Sequence, residues 1–160
     1  MKPKDILRFE GPLGTFFIRR SSDRPLVLMG GGTGFAPLKS MIEELIEAGD
    51  PRAVHLFWGV SSEPDLYAQA LIGSWIEQHP RLKFTPVLAE PGEEWTGARG
   101  FVHETVLSEV LDLAGHDVYM SGPPAMVNAG RNAFLQAGLG EDRLFYDSFD
   151  FAPDVPIASN

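Results

Sequence analysis

Residues 26–40, LVLMGGGTGFAPLKS, set four apolar side chains directly before three glycines, a threonine, a fourth glycine and, three residues on, a proline. Glycine loses more backbone freedom on folding than any other residue, so such a run implies a turn or a close approach that requires it. The apolar residues before it suit a strand covered on both faces, and Pro37 suits the first turn of a helix. Strand, glycine turn and helix start together make a geometry that receives phosphate. Free amides and the partial positive charge of the helix N-terminus face an anion that only glycine lets approach. The spacing is not that of a P-loop, because no Gly-Lys-Ser/Thr follows and Lys39 falls inside the helix; nor is it a clean G-x-G-x-x-G. A tight turn with no ligand is the alternative reading of these glycines.

The same switching between two hydrophobic periods runs down the chain. After the strand at 25–30, a helix over 37–49 carries Leu38, Met41, Ile42 and Leu45 on one face, with Gly49 as its stop. Strands are expected at 53–60, 82–90, 117–122 and 144–149, and helices at 65–79, 101–114 and 123–138. Pro86 places the third strand near an edge. Five strands alternating with helices predict the α/β class: a doubly wound, Rossmann-like, five-stranded parallel sheet with helices on both faces. Ligands of such sheets bind beyond the carboxyl ends of the strands, where the winding reverses. The loops 30–36, 60–65, 89–100 and 121–124 all fall at those ends, so one crevice is expected to collect them.

Composition narrows the function. A net charge of -9 with no basic cluster argues against a nucleic-acid partner. The absence of cysteine excludes disulfides, thiolate metal sites and an iron–sulfur cluster held by this chain. His55, His79, His103 and His116 lack metal-ligand spacing and read as ordinary surface or strand residues. No apolar run approaches the roughly 18 residues of a membrane span. The opening MKPKDILRFEGPLG has no apolar signal core, and a cytoplasmic setting is expected. The stretch KDILRFEGPLGTFFIRR (4–20) resembles the closing strands and turn of a different, antiparallel unit, so a preceding domain is expected to be missing. The final residues, APDVPIASN, read as a frayed tail.

The string GGTGFAP (31–37) resembles the G-G-T-G-x-[AT]-P signature of the ferredoxin–NADP reductase superfamily, in which this loop carries the pyrophosphate of NAD(P)H. Further segments follow the family pattern in order. GPLGTF (11–16) looks like the end of the flavin domain, and WGVSSEPDLY (58–67) like the loop beside the adenosine half of the nucleotide. WTGARGFV (95–102) is similar to the Trp-x-Gly-x-x-Gly segment of bacterial members. YMSGPPAMV (119–127) resembles the [CSA]-G-P-P-x-M turn that approaches the nicotinamide. YDSFDF (146–151) resembles the terminal segment whose aromatic ring lies near the flavin. Within the superfamily, the resemblance points to NAD(P)H–flavin reductases and to the iron–sulfur flavoprotein group of the CDP-6-deoxy-glucoseen reductases.

The resemblance implies a set of site residues. Gly31, Gly32, Thr33 and Gly34 would hold the diphosphate, with Pro37 structural and Thr33 either a phosphate contact or a helix cap. Ser61 lies in the adenosine loop, and Asp65 either accepts from a ribose hydroxyl or caps the helix that follows. Glu90 stands where relatives that prefer NADPH show Ser-Arg, which favours NADH, although Arg99 in the same loop can compensate. Gly122 and Pro123 lie at the nicotinamide turn, and Met126 beside them reads more as core than as catalytic. Ser121 replaces the cysteine of many members near the hydride-donating carbon, keeping a small polar group and losing the sulfur. Phe149, rather than Phe151, is expected to face the flavin.

The function implied is that of the NAD(P)H-binding domain of a larger flavin-dependent reductase. Hydride is expected to pass from NADH or NADPH to FAD, held by the absent domain, and its electrons on to an iron–sulfur centre in a ferredoxin-like domain or to another acceptor. Residues 1–22 would then be the end of the FAD-binding domain and a linker, 23–152 the NAD(P)H-binding domain and 153–160 a tail. The isolated chain is expected to be inactive. A nucleotide-sensing module without redox work and a phosphosugar-binding α/β domain are the alternatives. An upstream Arg-x-Tyr-Ser barrel separates the first alternative from the reductase, and titration with NADH, NADPH and ADP tests the second.

Overall fold

The structure, a computed structural model, describes residues 14–149. The part of the expected barrel remnant before residue 14, Phe151 and the expected tail lie outside that range. Six parallel strands form one sheet in the order β4-β3-β2-β1-β5-β6: β1 (Leu26–Gly31), β2 (Val54–Val60), β3 (Leu82–Leu88), β4 (Ala98–Arg99), β5 (Asp117–Gly122) and β6 (Leu144–Ser148). The expected five strands are all present. The sixth, β4, is a two-residue pairing of Ala98 and Arg99 with Val87 and Leu88, in a stretch that reads as polar loop. It extends the sheet past β3 only at Val87 and Leu88, so Pro86 has a paired neighbour, Trp58, on one side alone.

Chain order runs outward from β1 through β2 and β3 to β4, then returns to add β5 and β6 on the other side of β1. The winding therefore reverses between β1 and β5. Because every strand is parallel, all the carboxyl ends lie at one edge of the sheet, and the reversal opens a crevice there.

The pleat sorts β1 and its neighbours between two cores. Leu26, Leu28, Leu56, Trp58 and Tyr119 pack with α1 (Phe35–Glu47) and α2 (Gln69–Gln78). Val27, Met29, Phe57, Val118 and Met120 pack with α3 (Val102–Glu109) and α4 (Pro124–Gln136). This two-sided burial is why β1 and β5 read as near-continuous apolar runs. The second helix starts at Gln69 rather than 65, because Glu63–Asp65 form a separate 3-10 turn. The third ends at Glu109, short of the expected 114.

The segment before β1 covers the sheet where no helix does. Ile18, 3% exposed, joins the core beside Tyr119, whose hydroxyl accepts from the Arg19 amide at 2.8 Å. Tyr119 in turn stacks on Phe145 with ring centroids 4.7 Å apart. Arg52, nearly buried, fixes this segment from below: its Nη1 donates to the carbonyls of Arg19 and Ser22 at 3.2 and 2.9 Å. Its other donors grip Asp50, with Nη2 at 2.7 Å from Oδ2, which holds the Asp50 carboxyl below its usual pKa and raises that of the guanidinium.

Candidate functional site

The glycine turn sits where β1 hands over to α1. Gly32–Gly34 form one 3-10 turn, and Gly32 adopts a φ of +52°, left-handed backbone that glycine takes without strain. Neither this turn nor α1 has a side-chain cap at its N-terminus. Thr33 thus leaves the amides uncapped, which removes the cap reading of its hydroxyl and keeps the amides available to an anion. The turn is pinned from below. Trp58 Nε1 donates to the Gly32 carbonyl at 2.9 Å, and the indole stacks on Phe35 with centroids 4.3 Å apart.

A second turn follows β5 beside it. Gly122 has a φ of +149°, and Pro123 and Pro124 lead into α4. The two turns touch through backbone. A β-carbon on Gly34 would lie 2.0 Å from the Ser121 carbonyl oxygen, and one on Gly122 3.0 Å from that of Gly31. Either would push the turns apart. Glycine is required here for close approach, beyond any question of φ.

Above the turns opens a cleft of about 990 Å³, in the size range of small-molecule and cofactor sites. It collects all four expected loops: Gly31–Thr33, Gly59–Asp65, the Ala89 and Gly100 ends of the third loop, and Pro123. Tyr67 and Phe101, 68% and 66% exposed, are the large aromatics of its lining. Tyr67 rests edge-on against Trp58 at 5.0 Å, so the pinning indole also supports a cleft wall. Among the described residues, the charged lining residues are Asp65 and Glu104, and no lysine or arginine lines the cleft.

The expected site residues divide between cleft and surroundings. Gly31, Gly32, Thr33, Ser61, Asp65, Pro123 and Met126 line the cleft. Gly34 and Gly122 form the buried joint beneath it. Pro37 is half-buried as the third residue of α1, away from the lining, in keeping with a structural part. Asp65 is not the N-cap of the following helix. Its Oδ2 accepts from the amide and hydroxyl of Ser62 at 2.9 and 2.8 Å, closing a capping box around the 3-10 turn. Met126 packs against the α3–α4 core, as expected, and also lines the cleft.

Four residues stand apart from the lining. Glu90 is exposed beyond it, its amide bonded to the Ser61 carbonyl at 2.8 Å. Arg99 turns its guanidinium onto the Trp95 carbonyl of its own loop, so it does not supply a cation to the lining. Ser121 is fully buried, and its Oγ finds no hydrogen-bond partner among the described residues. Alternation along β5 puts it on the same face as Tyr119, under the joint with Gly34. Phe149, half-buried just past β6, donates its amide to the Gly122 carbonyl at 3.1 Å, which brings it to the turn after β5.

Sequence reasoning missed Tyr67, Phe101, His103 and Glu104 as lining residues. His103, the second residue of α3, is the one of the four histidines that lines the cleft. The signal available was topological: Phe101–Glu104 follow directly on a loop already placed at a strand carboxyl end. Among the described residues no group of three or more His, Asp or Glu is arranged to hold a metal ion. No helix among them is long and apolar enough to cross a membrane.

Residues 28–132 match the family model described as the oxidoreductase NAD-binding domain. The chain is 44% identical over 149 residues to the CDP-6-deoxy-L-threo-D-glycero-4-hexulose-3-dehydrase reductase of Yersinia pestis, covering 93% of this chain and 45% of that protein. It is 36% identical to the NAD(P)H-flavin reductase of Aliivibrio fischeri, covering 92% of this chain and 62% of the relative. Among solved structures, the Amycolatopsis cytochrome P450 reductase GcoB superposes with a TM-score of 0.80 at 33% identity, over 87% of this chain and 42% of that one. The chain thus spans about half the length of these relatives.

Proposed function

The chain belongs to the oxidoreductase NAD-binding domain family, and we propose that it is the NADH-binding half of a flavin-dependent reductase. The observation that carries this reading is the joint between the two turns, where Gly34 and Gly122 bring an uncapped helix start against the Ser121–Pro123 turn under one cleft. A diphosphate needs such bare amides, and a dinucleotide needs a second turn close by to receive its other half.

In this reading the diphosphate rests on the amides of the Gly32–Gly34 turn, and the exposed Thr33 hydroxyl donates to a phosphate oxygen. The adenine lies along the wall of Tyr67 and Phe101, whose rings offer stacking surface. Asp65, with Oδ2 engaged by Ser62, turns its carboxylate toward a ribose hydroxyl. Gly122 and Pro123 bound the nicotinamide end, Ser121 stiffens that end from beneath, and Phe149 faces the flavin. The carboxylates of Asp65 and Glu104, with Glu90 nearby and no lysine or arginine among the described lining residues, repel a 2′-phosphate and favour NADH over NADPH.

The bound nicotinamide supplies a hydride, which a flavin accepts. The protein's part is to hold the two rings in line and to keep water from the transfer. The flavin belongs to an FAD-binding unit outside these residues, a reading supported by longer relatives that include an NAD(P)H-flavin reductase and a dehydrase reductase. Any iron–sulfur cluster, held by a ferredoxin-like partner or domain, must take its ligands elsewhere, since this chain has no cysteine. A cytoplasmic setting suits a consumer of NADH.

Titration of the chain with NADH, NADPH and ADP-ribose tests this. We expect saturable binding of NADH and ADP-ribose, and no NADH oxidation until an FAD-bearing unit is supplied. Absence of dinucleotide binding, or FAD purifying tightly bound to this chain, overturns the reading.

A further inference from the structure

The segment that leads into β1 is tied to the body of the domain at three places. The Arg19 amide donates to the Tyr119 hydroxyl on β5 at 2.8 Å. Arg52, two residues ahead of β2 and 7% exposed, donates through Nη1 to the Arg19 and Ser22 carbonyls at 3.2 and 2.9 Å. Arg24 Nη1 reaches the Ala114 carbonyl, ahead of β5, at 3.0 Å. The other two nitrogens of Arg52 are held by Asp50, with Nε 2.9 Å from Oδ1 and Nη2 2.7 Å from Oδ2. A planar guanidinium faces a carboxylate along one edge and carbonyls along another, so this one residue clamps the segment onto the lead-in to β2. Gly14 is the opposite case. It is exposed, has a φ of +106°, and would meet nothing within 4 Å of an added β-carbon among the described residues.

We propose that residues 18–24 are a strap latched to the nucleotide-binding body by Arg52, and that the pivot toward the flavin-bearing unit lies at Gly14 rather than after residue 22. The inference rests on the reductase reading above and deepens it. Linkers between domains run exposed and are crossed by few contacts. Here Ile18 is 3% exposed in the core, and the Arg19 backbone is bonded through both its amide and its carbonyl. Released, the nine residues from Gly14 to Ser22 would give a tether of up to about 30 Å. Latched, they add no slack. The tether then starts beside Phe16, whose ring lies 6.1 Å from that of Tyr119, and Tyr119 stacks in turn on Phe145 of β6. The strap thus delivers the flavin-bearing unit on the side of the sheet where β5 and β6 meet and where Phe149 is bonded to Gly122. A shorter tether raises the effective concentration of flavin at that turn without any new contact to the dinucleotide.

Hydrogen exchange and limited trypsin digestion of the chain read the latch. The Arg19 amide should be protected at least about tenfold more than that of Thr15, and Tyr119→Phe, which removes only the acceptor, should speed its exchange about fivefold. Arg52→Lys keeps the charge but cannot span Asp50 and both carbonyls. It should speed tryptic cleavage after Arg20 and Arg24 about tenfold while ADP-ribose affinity stays within about twofold. In the reductase that carries the FAD-bearing unit, Arg52→Lys should slow flavin reduction about tenfold at saturating NADH and leave the KM for NADH within about twofold. If Arg52→Lys fails to fold, Tyr119→Phe carries the same measurements. An Arg19 amide no better protected than Thr15 in the unmodified chain overturns the proposal. So does an unchanged rate of flavin reduction in a folded variant whose strap is cleaved faster. If the unmodified reductase fails to reduce flavin with NADH, the fault lies with the reductase reading, and the exchange pattern still decides the latch.

Discussion

Trp58 Nε1 donates to the carbonyl of Gly32 at 2.9 Å, tying the middle of β2 to the turn that ends β1. The indole is fully buried and stacked on Phe35, so the donor is fixed by packing and the turn is fixed by the donor. Trp58→Phe keeps an aromatic ring against Phe35 and removes only the N–H. Stability should fall by about 1 kcal/mol, the ordinary net worth of one hydrogen bond, with some packing loss added. The larger effect should be on NADH affinity, falling roughly three- to tenfold as the turn loses its fixed shape. Urea unfolding and equilibrium titration separate the two effects; unchanged affinity contradicts the pinning role.

Gly34→Ala tests the joint between the turns. The new β-carbon would meet the Ser121 carbonyl oxygen at 2.0 Å, a backbone atom that cannot rotate away. A loss of about 1–3 kcal/mol, the usual range for overpacking, is expected together with loss of NADH binding. Gly73→Ala is the matched control. Gly73 lies inside α2 with nothing within 4 Å of a new β-carbon, so the same change there should stabilise by up to about 1 kcal/mol. Thermal denaturation of the two variants should move in opposite directions.

Much of this architecture was legible in the sequence, and the reason is physical. Strands buried on both faces read as short apolar runs, and α1 shows its core face through Leu38, Met41, Ile42 and Leu45. What escaped has no period to detect. Two residues, Ala98 and Arg99, are too few to show alternation, and a capping box at Ser62–Asp65 diverts the chain into a 3-10 turn before α2 begins. Tyr67 and Phe101 are exposed aromatics, invisible to an argument built on core patterning. Ser121 is the opposite case. Its place two residues after Tyr119 on a strand already implied the buried face, while its motif pointed to the open one.

Acid should weaken the fold through His55, at the end of the sheet remote from the cleft. Its ring stacks on Phe57 at 3.9 Å, and its Nε2 lies 2.9 Å from Thr85 Oγ1. Burial, aided by Lys83 and opposed by Glu109, pushes its pKa down from 6.5 to about 4. The unfolded chain therefore takes up this proton first. Stability is flat above pH 6.5 and declines as pH falls toward 4, by roughly 3 kcal/mol between pH 7 and 4. Asp50, whose pKa lies below 3.8, keeps its contribution through that window and loses it only at lower pH. Urea midpoints across the window should fall in the unmodified chain, and the slope should flatten in His55→Gln. An equal slope in both contradicts the assignment.

Cofactor preference should respond to Glu104, a cleft-lining carboxylate in the first turn of α3. NADH should bind at least about tenfold more tightly than NADPH at low salt. Glu104→Gln should narrow that gap about two- to fivefold, the size of one screened charge interaction near a surface. High salt should narrow it as well. Competition titrations with the two dinucleotides provide the ratio; a gap unmoved by Glu104→Gln removes this residue from cofactor choice.

Where the diphosphate rests decides the function of both turns. Amide chemical shifts followed by NMR during titration with ADP-ribose report that position residue by residue. The largest movements should fall on Gly32, Thr33 and Gly34, the uncapped turn at the start of α1. Saturable binding that left those three amides unmoved and shifted residues elsewhere would contradict that placement.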